Sequence, residues 1–214
     1  MTQTELLYDG PKHAAATLVL AHGAGAPMDS PFMNVIAAGV GASGIRVARF
    51  EFPYMSARRH TGKRPAPDRE PILRATWLRI IEELGGAQHL VIGGKSMGGR
   101  IASMVADEAR VMGLVCLGYP FHPPGRPERQ RVEHLRELRT PALIVQGTRD
   151  SLGNREEVGA YELAPRLRIA WIEDGDHSFK PTKRSGRTLE QNLAEAVSVV
   201  SGFVQRLQRS RKAS

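Results

Sequence analysis

Short apolar runs alternate along the chain with longer stretches whose apolar side chains recur every three or four positions. The short runs lie at residues 17–21, 46–50, 89–92, 114–117, 143–145 and 167–171. Each is bounded by glycine or turn residues and is too short for a helix, so each predicts a strand buried on both faces. Residues 31–41 predict a helix, with Asp29 and Ser30 available to cap it and Pro31 at its first position. Residues 70–84 place Ile72, Leu73, Trp77, Ile80, Ile81 and Leu84 at helical spacing and stop at Gly85-Gly86. A third helix is predicted over 97–108. A fourth covers 188–208, striped by Leu189, Leu193, Val197, Val200, Val204 and Leu207. Strand followed by helix, repeated, predicts an α/β fold with a mostly parallel, doubly wound sheet and helices on both faces.

No linker or repeat divides this pattern, so a single domain is expected over residues 1–214, with 1–12 and 209–214 loosely ordered. Hydrophobic residues make up 41% of the chain, which separates it from disordered sequences. There is no apolar run of spanning length and no basic start followed by an apolar stretch, so neither a membrane segment nor a signal peptide is expected. The lone cysteine, Cys116, lies in an apolar run and reads as core packing; a chain without disulfides suits the cytoplasm. The formal net charge of +8 gathers in two places, Arg58 to Arg64 and Arg206 to Lys212. Charge of this kind fits an anionic partner or a solvated surface equally well.

The chemistry concentrates in Gly93-Gly94-Lys95-Ser96-Met97-Gly98-Gly99. Here Gly-x-Ser-x-Gly follows an apolar strand and opens a helix, the context in which the serine of a strained turn projects its hydroxyl. Flanking glycines relieve the crowding that side chains would cause there. The helix start behind the serine aims backbone N–H groups at developing negative charge. Gly-Lys-Ser also ends phosphate loops, but the earlier glycine of that pattern is missing.

Two further segments complete a recognisable set. Gly147-Thr148-Arg149-Asp150 follows the run at 143–145, and Gly175-Asp176-His177 follows the run at 167–171. The order serine, acid, histidine resembles the α/β-hydrolase superfamily over nearly the whole chain. The resemblance implies Ser96 as nucleophile, His177 as general base and acid, and Asp150 as the carboxylate that orients the imidazole. Asp174 and Asp176 are rivals for the last role, Asp176 the weaker because adjacent side chains diverge. His22-Gly23-Ala24-Gly25 would supply an oxyanion hole from the amides of Ala24 and Met97, with Gly25 as a near rival to Ala24 and His22 bracing the loop. The fuller strings His22 to Met33 and Phe50 to Met55 resemble a compact subgroup. It is related to dienelactone hydrolases and to the hydrolase-like part of a chromatin acetyltransferase-complex subunit. Dienelactone hydrolases carry cysteine where this chain has Ser96.

Only residues 118–140 separate two strand candidates where large lids are inserted, so no large lid is expected. The predicted substrate pocket is small and open, lined by His22, Tyr54, Met55, Arg58, Arg59, Lys95, Tyr119 and Phe121. Its basic loop suggests an anionic acyl substrate such as a carboxylated ester or coenzyme A thioester. These readings call for a cytoplasmic serine hydrolase acting on a small acyl ester or thioester, with no cofactor and no metal. Monomer and dimer are both open. The rival reading is a non-catalytic module that binds a partner or nucleic acid through the basic surface. Nucleic acid is the weaker expectation, the basic residues not being clustered along one predicted helix.

Overall fold

The computed structural model describes residues 4–63 and 65–212. Seven strands form one sheet: β1 (Leu6–Asp9), β2 (Thr17–Ala21), β3 (Arg46–Phe50), β4 (Leu90–Lys95), β5 (Gly113–Leu117), β6 (Ala142–Gly147) and β7 (Leu167–Ile172). Their order across the sheet is β1-β3-β2-β4-β5-β6-β7. Every neighbouring pair is parallel except β1 with β3, where Leu6 faces Phe50 and Asp9 faces Val47. Strands β2, β4, β5 and β6 are buried at every position, as expected for apolar runs covered on both sides.

The helices are α1 (Pro31–Ala42), α2 (Pro53–Thr61), α3 (Glu70–Glu83), α4 (Met97–Ala109), α5 (Glu133–Arg136), α6 (Arg155–Gly159) and α7 (Leu189–Lys212). On one face of the sheet Phe50, Phe52, Trp77, Ile80, Ile101 and Val105 form a core with α3 and α4. On the other, Leu18, Leu20, Val91 and Val145 pack against Ile36 and Val40 of α1 and Val200 and Val204 of α7. Helix α3 ends where its glycines allow, with the Gly86 amide donating to the Ile81 carbonyl at 3.0 Å. Among the described residues no helix is long and apolar enough to cross a membrane.

Four sequence expectations need correction. Leu6–Asp9, expected to be loosely ordered, is an edge strand; Asp9 accepts from the Arg49 guanidinium at 2.8 Å. At the other end α7 continues through Lys212, so residues 209–212 are helical; residues 1–3, 213 and 214 lie outside the described residues. The basic stretch after Pro53 is not a loop but α2, begun by proline and closed by Gly62 in the left-handed conformation; Arg64, also in that stretch, lies outside the described residues. Finally, Ser30 does cap α1 by position, yet its side chain makes no capping bond, and the Asp29 carboxylate turns to Arg59 instead.

Candidate active site

The chain runs from β2 outward to β3 and then crosses to β4 on the other side. A parallel sheet opens a crevice at such a reversal, beyond the carboxyl ends of its strands. The loop after β2 and the turn after β4 flank that crevice, and the loops after β6 and β7 reach it from one side.

Ser96 stands between β4 and α4 with φ 52° and ψ −116°, a left-handed conformation that costs a non-glycine residue about 1–3 kcal/mol. The turn is pinned on both sides: the Ser96 amide donates to the Leu117 carbonyl and the Arg100 amide to the Ser96 carbonyl, each at 3.0 Å. The flanking glycines are required for a reason the sequence did not reveal. A Cβ on Gly94 would lie 2.2 Å from the Ala21 carbonyl oxygen, and one on Gly98 would lie 2.5 Å from that of His22. The turn is pressed against the end of β2, so the neighbouring strand adds crowding of its own.

His177 reaches the serine from 81 residues away: its Nε2 lies 2.9 Å from the Ser96 Oγ. On its far side Nδ1 lies 2.7 Å from Asp150 Oδ2. Asp150 is fully buried, while the imidazole stays 27% exposed and open toward the crevice side. The carboxylate also accepts from Gln146 Nε2 at 2.8 Å and from the Leu152 amide at 2.9 Å. Gln146 is a partner of Asp150 that sequence reasoning missed. It is fully buried, bonded to the Tyr119 amide and carbonyl, and lies four residues before Asp150. Its one signal was a polar side chain in the otherwise apolar run Leu143-Ile144-Val145-Gln146.

The rival carboxylates are occupied elsewhere. Asp174 accepts from Arg149 and from the Thr182 amide and hydroxyl, bonds that hold its carboxyl down at about 2. Asp176 accepts from the Ser178 and Lys180 amides and closes the turn that carries His177.

His22 is fully buried and has a bracing position. Its Nε2 accepts from the Phe52 amide at 3.1 Å and its Nδ1 donates to the Gly23 carbonyl at 2.6 Å. Burial holds its pKa below the usual histidine value, in keeping with a neutral ring that both accepts and donates. Further along the same loop, Tyr54 Oη donates to the Ala24 carbonyl at 2.9 Å and Arg58 to the Gly25 carbonyl at 3.2 Å. The carbonyls are thus engaged, whereas the amides of Ala24, Gly25 and Met97 donate to no group among the described residues.

Most of the residues expected to line a pocket are buried. Tyr54, Met55, Tyr119 and Phe121 are buried in the core on the α3–α4 face. Tyr119 points its hydroxyl at the Arg131 carbonyl, 2.9 Å away, and its ring meets Phe121 edge-on. Arg59 is not free to hold a substrate: its guanidinium is bonded to both Glu51 oxygens and both Asp29 oxygens. Lys95 is also buried, with its Nζ 2.7 Å from the His177 carbonyl oxygen. Cys116 is a core residue, its thiol pushed up by complete burial.

Solved structures of similar shape are numerous and distant in sequence. An alpha-beta serine hydrolase homologue from Coxiella burnetii is 19% identical with a TM-score of 0.68, over 94% of this chain and 90% of its own. A dienelactone hydrolase from Anabaena variabilis is 20% identical with the same coverage and TM-score. A serine hydrolase without a lid from Xanthomonas campestris is 18% identical at a TM-score of 0.64, over 94% of this chain and 88% of its own. At these identities the likeness is one of fold; among the described residues of this chain, only the four-residue helix α5 stands between β5 and β6. A family model described as an alpha/beta hydrolase domain matches residues 14–205, and the chain belongs to that family.

Proposed function

We propose that this hydrolase cleaves a small acyl ester or thioester, with Ser96 as nucleophile. One observation carries the reading: a strained serine stands in hydrogen-bonding sequence with an imidazole and a fully buried carboxylate, at 2.9 Å and 2.7 Å. As the serine oxygen adds to the acyl carbonyl, His177 Nε2 takes its proton, and Asp150 stabilises the imidazolium through Nδ1–H without itself being protonated. The carbonyl oxygen becomes an oxyanion, held by the amides of Ala24 and Met97, with Gly25 beside them. On collapse of this intermediate the imidazolium protonates the departing alkoxide or thiolate, leaving the acyl group on Ser96. Water, deprotonated by the same imidazole, then releases the acid and restores the serine.

The strings from His22 to Met33 and from Phe50 to Met55 support placement in the compact dienelactone-hydrolase-related subgroup that includes the hydrolase-like part of a chromatin acetyltransferase-complex subunit. The single buried cysteine supports work in the cytoplasm. Arg58, whose guanidinium sits at the Gly25 carbonyl beside the crevice, supports a preference for anionic acyl substrates. The test is a panel of neutral and carboxylated esters and coenzyme A thioesters, with Ser96→Ala and Arg58→Ala beside the wild type. Turnover that falls at least about a thousandfold in Ser96→Ala, with an acidic preference that narrows in Arg58→Ala, is expected. A wild type inert to the whole panel, or an active Ser96→Ala, contradicts the reading.

A further inference from the structure

The lysine next to the nucleophile has no part in the proton relay, yet its ammonium is buried at the centre of the site. Lys95 closes β4, and its Nζ donates to the His177 carbonyl oxygen at 2.7 Å. The slot is closed around it: a Cβ on Gly118 would lie 2.9 Å from Nζ and 2.6 Å from that same carbonyl oxygen. The Phe32 ring of α1 covers another side, its centroid 5.5 Å from Nζ. The charged groups facing the ammonium are Asp150 after β6 and Asp176 after β7, and neither forms an ion pair with it among the described residues.

Burying a charge against a neutral carbonyl is costly, and a methionine would fill the same slot without that cost. What the ammonium supplies is a strong, directed donor. Among the described residues, two hydrogen bonds join residues 95–97 to residues 174–180: Ser96 with His177, and Lys95 with the His177 carbonyl. The remaining bonds of that loop run within it, to the β6 end or to α7, such as Asn192 Nδ2 to the Phe179 carbonyl.

We infer that Lys95 is a positioning residue, a charged clamp from the nucleophile turn onto the main chain of His177 that keeps the imidazole within reach of Ser96. This rests on the hydrolase reading above. It has a consequence for pH. Burial lowers the Lys95 pKa to about 8, against the pull of Asp150 and Asp176. Below that value the clamp is charge-assisted; above it a neutral amine donates more weakly.

The test compares wild type with Lys95→Met in two measurements. In steady-state hydrolysis of a small neutral ester across the alkaline range, kcat should fall roughly tenfold to a hundredfold, the loss typical of an ångström of misplacement. KM should stay within about twofold, since the clamp touches no substrate. The wild-type decline in kcat centred near pH 8 should disappear from the variant. Separately, the His177 imidazole resonances, followed by NMR in a Ser96→Ala background, should show a step near pH 8 that vanishes when Lys95 is replaced. A Lys95→Met enzyme with wild-type kcat and pH profile overturns the inference, as does a His177 titration with no step near that pH. The step present in a protein that hydrolyses nothing upholds the clamp and sinks the hydrolase reading instead. Because the absence of a step is read with native Lys95, it overturns the inference even if Lys95→Met does not fold.

Discussion

Replacing Asp150 by asparagine changes one atom of a fully buried group and tests the relay at its least accessible member. Both carboxylate oxygens are in use as acceptors. Oδ2 faces His177 Nδ1 at 2.7 Å and Gln146 Nε2 at 2.8 Å, and Oδ1 faces the Leu152 amide at 2.9 Å. Asparagine has one acceptor and one donor for these two places. With its nitrogen toward His177, the ring must accept at Nδ1 and carry its proton on Nε2, where it can no longer take one from Ser96; the nitrogen also meets the Gln146 donor. With its oxygen toward His177, the nitrogen opposes the Leu152 amide, and the negative charge that stabilises the imidazolium is still gone. Neither orientation restores the base. A swap of this kind in a serine relay costs about 10⁴ in turnover, or about 5 kcal/mol of barrier. The opposed donors should cost a further ~1–3 kcal/mol of fold stability. Ester hydrolysis and the rate of serine phosphonylation measure the first, and urea unfolding the second. An Asp150→Asn enzyme within tenfold of wild-type kcat/KM would refute the assignment of Asp150.

Three other outcomes are expected. Gly98→Ala must push its methyl into the carbonyl oxygens of His22 and Ala21, at 2.5 and 2.6 Å; urea unfolding should show a loss of ~1–3 kcal/mol, with activity lowered in the folded fraction. Gln146→Leu removes a donor to Asp150 and leaves the Tyr119 amide unpaired, so both kcat and stability should fall while KM for a small ester holds; unchanged kcat would show that the acid needs no such support. The third concerns pH. His22 has its pKa lowered from 6.5 by burial, so the unfolded chain binds the proton more readily and stability is lost as pH falls below that value. His134, also lowered by burial, adds in the same direction. Thermal unfolding between about pH 7 and pH 5 should show this decline, at no more than ~1.4 kcal/mol per pH unit for each proton, and less steeply in His22→Gln.

What the sequence made legible was whatever had a local cause. The central strands are apolar without interruption because both faces are covered, and β2 and β3 begin and end where their runs do. The nucleophile turn was readable from its Gly-x-Ser-x-Gly spacing between a strand and a helix, although part of the demand for those glycines comes from the distant end of β2. Other parts depend on partners distant in the chain. Strand β1 has four residues, one of them the exposed Tyr8, and exists through its pairing with β3. Helix α2 buries only Tyr54 and Met55, so its apolar stripe is too brief to separate from a loop. The aromatic residues expected to line a pocket carry no mark of direction: Tyr119 and Phe121 follow β5 at the site edge and turn into the core. Arg59 in a basic run looked available, and the Glu51 and Asp29 that engage it lie 8 and 30 residues away.

The most direct measurement of the central claim is intact-mass spectrometry after exposure to a fluorophosphonate, with peptide mapping of the adduct. The account predicts a single phosphonyl group on Ser96, formed rapidly in wild type, slowly in Asp150→Asn and not at all in Ser96→Ala. A wild-type protein that stays unmodified under conditions that label other serine hydrolases, or that is modified at another residue, would contradict it.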